Sequence, residues 1–398
     1  MSVAGAAIGE RRQVLPVYGA GFVTASGAHA VAANLGAYAL GRHDSLLELG
    51  LVLGVYDAAE VVLKPAFGAV VDRRGAKKVM VGGLLAFGLA SAAFAVGGDP
   101  RLLGAARLAQ GAAAATFSPA AGAAVATLGG TKRTGRLFGG YGGAKGIGYL
   151  LGPVAGGALV LAGGYQLLFA VLGAVALVAT LAVARLVPEM APVRRPRSGL
   201  VDLVRRIRKP SFLQPVLLLG AGTAALSAGV GFLPVLGYRH HLDPLTTGAI
   251  VSLLAASSVL LQPWAGRRLD RGGLHPAFAA GGLLVAATGF GLVASLSSPL
   301  SMALAALAIG AGVAAVTPLG FARLAAVAPP DRLGQTMGAG EVGRELGDAG
   351  GPVLVGAFGA FGLGAGFAAI AAALLACAGL ALPRVASPED TVADAPAR

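Results

Sequence analysis

Charge is what this sequence has least of. Only 12% of its 398 residues are Asp, Glu, Lys or Arg, about half the roughly 25% of an ordinary soluble domain. Hydrophobic residues make up 56% and the mean hydropathy is +0.76, which is incompatible with a surface solvated by water. Cysteine is almost missing: Cys377 stands alone, so no intramolecular disulfide can form. Catalytic signatures are missing too. No HExxH, Walker loop or GxSxG occurs, so the residues offer no catalytic, cofactor or metal constellation and the chain is read as a non-enzyme. Gly338-Ala-Gly340-Glu-Val-Gly343 fits a dinucleotide fingerprint in letters only, because it follows no strand and opens an apolar helix. His240-His241 has only Asp243 near it in sequence, too little for a metal site.

What remains is glycine and long apolar runs. The 64 glycines follow no collagen period, and in lipid small residues let helix backbones approach closely. A spanning helix needs about 20 apolar residues. Twelve such runs can be read: 14–40, 46–71, 76–97, 101–125, 136–162, 165–187, 211–237, 245–268, 274–297, 299–325, 333–359 and 361–383. They are continuous, not the ten-residue alternations of a barrel. The fold class expected is therefore an all-α membrane protein with twelve transmembrane helices in two pseudo-symmetric six-helix bundles. The first run, Val14 to Leu40, is longer than a signal-peptide core.

Bases outnumber acids 31 to 18, a net charge of +13. They sit in short clusters between apolar runs, a topology signal and not a nucleic-acid face. With the N-terminus placed inside, alternate loops and tails hold 24 of the 31 bases; the opposite loops hold only Arg42, Arg101 and Arg239. Both termini are thus expected on the cytoplasmic side of a cell (inner) membrane. The Pro-containing basic stretch 188–210 divides an N-terminal half, 1–187, from a C-terminal half, 211–383, with a cytoplasmic tail at 384–398. With Cys377 replaced, a cysteine at Ser198 is expected to label only from the inside and one at Ser297 only from the outside. Outside labelling at 198 inverts the assignment.

The halves repeat. Gly68-Ala-Val-Val-Asp72-Arg73-Arg74-Gly75 returns as Gly266-Arg-Arg-Leu-Asp270-Arg271-Gly272, shifted by 198 positions. Gly111 and Pro119 return as Gly310 and Pro318. Gly148, Gly152 and Pro153 return as Gly347, Gly351 and Pro352, all shifted by 199. One offset held over three distant segments marks a duplication, a feature of secondary transporters whose substrate site lies between the repeats.

These segments resemble the major facilitator superfamily over nearly the whole chain. Gly68 to Lys78 matches its loop motif between helices two and three. Arg107-Leu-Ala-Gln110-Gly111 is similar to its helix-four motif. Gly148-Tyr-Leu-Leu-Gly152-Pro153-Val-Ala-Gly156-Gly157 matches the helix-five motif of drug–proton antiporters, and Pro188-Glu189 also resembles that group. The second-half loop departs from the pattern, with Arg267 and Arg268 preceding Asp270 and no downstream Lys pair. The resemblance implies gating roles for Gly68, Asp72, Arg73, Gly75, Gly148, Gly152, Pro153, Asp270, Gly351 and Pro352. Asp72 either latches one conformation, by pairing with nearby bases and a helix N-terminus, or lies in a plain solvated turn.

Each ionisable residue in a span costs about 2.5–3.5 kcal/mol on insertion scales. Nine are present: Asp57, Glu60 and Lys64 on one face of the second run, Arg107, Lys145, and Glu341, Arg344, Glu345 and Asp348 on the eleventh. Five acids against four bases leave one negative charge that a proton could neutralise. Asp57, Glu60, Arg107, Glu341, Arg344, Glu345 and Asp348 are therefore the candidates for proton coupling. Glu60 has Lys64 four residues on, and Asp348 has Arg344 four residues back, so both are expected to be paired. The competing account is that Glu60–Lys64 and Glu341–Glu345–Arg344 are pairs that only lock helices together. His29, Asn34 and Lys145 are the substrate-cavity candidates, His29 being equally readable as a hydrogen-bonded structural residue.

The reading favours secondary active transport, with proton-coupled efflux of a small organic compound ahead of metabolite uptake by symport or facilitated diffusion. A scaffold or intramembrane enzyme would leave the repeat unexplained. The partners expected are a small-molecule substrate, protons and the lipid bilayer, with no nucleic acid, no cofactor and a monomeric chain.

Overall fold

The computed structural model describes residues 3–40, 45–95, 99–190, 210–272, 276–296, 298–327 and 333–381. Most of the 188–210 linker and the tail 384–398 lie outside the described residues, as does the side chain of Asp270. Among the described residues every regular element is an α-helix. In chain order they are α1 (Val3–Leu40), α2 (Leu46–Arg74), α3 (Ala76–Ala93), α4 (Pro100–Leu186), α5 (Pro210–Arg239), α6 (Pro244–Gly272), α7 (Pro276–Ser295), α8 (Pro299–Val327), α9 (Leu333–Gly359) and α10 (Leu363–Ala381).

Short polar caps set where helices begin. Ser45 and Glu48 form a reciprocal capping box on α2, at 3.0 and 3.1 Å. Asp99 accepts from the Arg101 N–H at 2.8 Å ahead of Pro100. Asp243 opens α6, and hydrogen bonds from the Thr246 side chain and backbone hold its carboxyl below the usual carboxylate range.

The helical run α4 has 87 residues, about 130 Å at 1.5 Å per residue, far beyond a hydrocarbon core of about 30 Å. Its packing divides it into three crossings. Gly104 meets Val52 and Gly111 meets Tyr56, so the first crossing runs alongside α2 in the same direction. Gly148, Gly152 and Gly156 climb α1 from Phe22 through Ser26 to Ala30 and Asn34, so the second runs with α1. The chain reverses again at Gly164, which adopts φ +73°, a conformation that suits glycine. Gly88 then packs on Gly173 and Ala176, bringing the third crossing back along α3. Six crossings thus precede the linker and six follow it.

Hydropathy alone marks nine apolar spans among the described residues, one of them the 50-residue Leu137–Leu186 that contains two crossings. Neither α2 nor α9 is among them; these are the two helices that carry most of the intramembrane charge. Around the bundle Leu89, Val178 and Leu260 are 65%, 66% and 70% exposed, an apolar exterior suited to lipid and unfit for water. The protein is a multi-pass membrane protein.

The sequence repeat reappears as repeated contacts. A Cβ on Gly148 or Gly152 would meet the Phe22 or Ser26 carbonyl at 2.7 or 2.5 Å. On Gly347 and Gly351, 199 positions on, the neighbours are the carbonyls of Gly220 and Ala224, 198 positions beyond Phe22 and Ser26. Gly83 packs on Ala113 and Phe117, and Gly282 on Gly312 and Val316. The boundary between the halves repeats as well: Gly50 on α2 meets the Pro352 carbonyl of α9, while Gly248 on α6 meets the Pro153 carbonyl of α4.

These cross-half contacts are concentrated at one end. Gly50 and Gly54 pack against α9, Gly36 and Gly231 join α1, α2 and α5, and Gly157 meets Pro244. Arg73, Arg74, Lys77 and Lys78 lie at the other end of the bundle. Towards that basic end, Gly68, Gly142 and Gly143 have no neighbouring atom within 4 Å of a Cβ position. The glycine contacts between the halves thus cluster at the end remote from the bases.

Candidate functional site

All nine intramembrane charges line one cavity between the halves, together with His29, Tyr56 and Tyr149. Its empty volume is about 1070 Å³, open solvent included. α2 contributes Asp57, Glu60 and Lys64 from one face, α9 contributes Glu341, Arg344, Glu345 and Asp348, and the first and second crossings of α4 contribute Arg107 and Lys145. The helical spacing explains the convergence, since residues three, four and seven apart share a face.

Lys64 is the link between halves. It donates to Glu60 on its own helix at 2.5 Å and to Glu345 on α9. Glu60 and Glu345 are both buried, so Lys64 supplies the countercharge that makes two carboxylates tolerable there. Arg344 pairs with Glu341 at 3.2 Å, and its carbonyl accepts from Thr223 on α5 at 2.6 Å. Arg107 is buried and has no acid in ion-pair contact among the described residues. It donates to Gln110 at 2.6 Å, Gln110 donates to Ser91 at 3.0 Å, and the guanidinium lies 4.3 Å from the centre of the Tyr56 ring. Lys145 lies 5.9 and 5.8 Å from the ring centres of Tyr141 and Tyr149, and His29 sits 4.3 Å from Tyr149, ring to ring.

Three expectations need correction. Asp348 does not pair with Arg344, because the guanidinium turns to Glu341 one turn earlier. Glu345 leaves the α9 set and pairs across the boundary with Lys64. Asn34 does not face the cavity: its amide is buried under Gly156 and donates to the Ala30 carbonyl at 2.9 Å. Asp57 and Asp348 both line the cavity without a hydrogen bond or ion pair among the described residues. Tyr56, Tyr141, Tyr149 and Thr223 were not singled out by the sequence. Only the position of Tyr149, one turn after Lys145, and of Tyr56, next to Asp57, hinted at them.

The motif glycines separate into two kinds. Gly148 and Gly152 are backbone contacts with α1, Gly351 is one with α5, Pro352 lines the cavity and Pro153 meets α6. Gly75 takes φ +85° beside the Met190 carbonyl, and Lys77 reaches Glu189 at 3.5 Å, so the segment after α4 docks on the α2–α3 turn. A Cβ on Gly68 would meet nothing within 4 Å, and Asp72 lines a second cavity with Gly68, Pro119 and Phe138 and makes no ion pair among the described residues. Gly152→Ala is therefore expected to lower the melting temperature, while Gly68→Ala leaves it unchanged and any loss of transport in it reports a contact made in another conformation. Equal melting of the two variants contradicts this division.

Comparison with known proteins adds to this geometry. A family model described as Major Facilitator Superfamily matches residues 17–293 and 217–397. The chain is similar to "Multidrug resistance protein 2" of Bacillus subtilis, 24% identical over 229 residues, 55% of this chain and 57% of that protein. It is similar to "Multidrug resistance protein B homolog" of Mycobacterium tuberculosis, 31% identical over 207 residues, 51% of this chain and 36% of that protein. The chain thus spans little more than half of one relative and about a third of the other. Among solved structures, a peptide transporter POT in complex with sulfate superposes with a TM-score of 0.77 at 16% identity over 93% of each chain. A bacterial homolog of the human lysosomal transporter Spinster, in an inward-facing and unoccupied conformation, gives 0.72 at 17% identity over 96% of this chain and 95% of that one. At such identities the likeness is one of fold.

Proposed function

The chain belongs to the major facilitator superfamily, and from that premise we propose that it exports a small organic compound across the cell membrane in exchange for protons, by alternating access. The observation that carries this reading is the convergence of nine opposite charges, drawn from both halves, in a single cavity between them. A packing role alone would pair them off, yet Asp57 and Asp348 have no ion-pair partner among the described residues and line the cavity. Asp57 is assigned the transported proton, with Asp348 as the second candidate. Lys64 and Glu345 couple the halves, and Asp72 serves as a latch that closes the basic end in the alternate state. That end is taken as cytoplasmic, from the excess of bases there. The similarity to proteins named for multidrug resistance supports export over uptake.

The test is reconstitution into liposomes. Loaded vesicles should show counterflow of a substrate found by thermal-shift screening, and an imposed pH gradient should drive its accumulation against its own gradient. Counterflow without response to pH leaves a facilitator, and absence of both refutes transport. Asp72→Asn should slow transport at least several-fold with an unchanged melting temperature, because Asp72 makes no ion pair among the described residues in this conformation. Wild-type rates in that variant reduce Asp72 to a turn residue.

A further inference from the structure

The pairing pattern inside the cavity bears on the chemistry of what it holds. Lys64 is shared by Glu60 and Glu345, and Arg344 by Glu341. Four groups are left without an ion-pair partner among the described residues: the acids Asp57 and Asp348, and the bases Arg107 and Lys145. Arg107 stands beside Asp57, and Lys145 is set apart from the two acids. Asp57 and Asp348 approach each other across the boundary between α2 and α9, close enough to interact electrostatically. Lys145 stands apart on the second crossing of α4, flanked by tyrosines. The α1 register sets its distance from the acids. Gly148 packs at Phe22 to Ser26, placing Lys145 one turn nearer the basic end, whereas Arg107 reaches the Ala28 carbonyl and covers Tyr56, beside Asp57. The separation along the membrane normal is about two helical turns, roughly 10 Å.

The aromatic wall made by Tyr149 and His29 supplies a face for a flat ring.

Building on the transport role above, we propose that the cavity selects an aromatic zwitterion, with its anionic group at Lys145, its ring against Tyr149 and His29, and its cationic group at Asp57 and Asp348. The cationic end and the transported proton then occupy the same carboxylates and exclude each other, which is what exchange requires. The other charges facing Asp57 and Asp348 are Glu60 and Lys64 from α2, Glu341, Arg344 and Glu345 from α9, and Arg107 from α4. Of these only Arg107 lacks an ion-pair partner among the described residues, and it stands beside Asp57.

The probe is 6-(aminomethyl)naphthalene-2-carboxylate, compared with its methyl ester, which keeps only the cation, and its N-acetyl derivative, which keeps only the anion. Calorimetry on the full chain in detergent at neutral pH should give the zwitterion an affinity roughly tenfold or more above either derivative. Lys145→Gln should remove the preference for the zwitterion over the ester, and Asp57→Asn with Asp348→Asn should remove its preference over the N-acetyl compound. Equal affinities for all three, or binding of none, overturns the proposal. Uptake of the zwitterion driven by pH in liposomes is read separately. A charge preference in binding without uptake refutes transport alone, and uptake without charge preference refutes the zwitterion site alone.

Discussion

Asp57→Asn is expected to abolish accumulation driven by a pH gradient while substrate exchange across the same membrane survives. One charge moving through 100 mV releases about 2.3 kcal/mol. At about 1.4 kcal/mol per tenfold ratio, that sustains a gradient near fifty-fold. The amide keeps the shape of the protonated acid but cannot release a proton, so the ratio should fall from near fifty to one. Exchange needs no net proton release, and Asp348 still offers a carboxylate to the substrate, so exchange should persist. Asp57 is preferred over its neighbours on α2 because Glu60 is already engaged by Lys64. Asp348 on α9 likewise has no ion-pair partner among the described residues, so the same assay on Asp348→Asn locates the proton in one half or the other. Full uphill transport by Asp57→Asn removes it from the coupling path.

Much of this architecture could be read from the residues because lipid imposes simple rules. Twelve apolar runs become twelve crossings, since a membrane allows a chain little else. The repeat offset transfers directly into three dimensions: Gly152 on Ser26 and Gly351 on Ala224 are the same contact made twice. Charge convergence was legible as well, because residues at i, i+3 and i+7 on α2 share a face, and the similar stripe on α9 needs the same polar refuge. Partner choice was not legible. Local spacing pairs Arg344 with Asp348 and keeps Glu345 on its own helix, but Lys64 captures Glu345 from 281 residues away, a contact set only when the halves assemble. Asn34 illustrates the same limit: one turn of α1 decides between cavity and packed interface, and Gly156, on another crossing, decides it. Asp72 shows a further limit, since the bases beside it in sequence make no ion pair with it among the described residues.

Lys64→Met should be the most destabilising substitution in the cavity. The Glu60 and Glu345 side chains are 11% and 8% exposed, and Lys64 is the cation that contacts both. Removing one member of a buried ion pair costs about 3–5 kcal/mol, because the remaining charge stays desolvated. Here two carboxylates are stranded. A fall in melting temperature of at least about 5 °C should follow. Two double variants separate the connections. Lys64→Met with Glu60→Gln relieves strain within α2, whereas Lys64→Met with Glu345→Gln relieves it across the boundary. If the cross-half link carries the larger share, the Glu345→Gln partner restores more of the lost stability than the Glu60→Gln partner. Equal restoration places the role of Lys64 within α2, and a single variant that melts like the wild type shows that water in the cavity already solvates both acids. The cross-half outcome has a mechanistic consequence. A cation held by carboxylates from both halves must release one of them whenever the halves rock apart at the basic end, so whatever next neutralises the freed carboxylate, proton or substrate cation, is coupled to that motion.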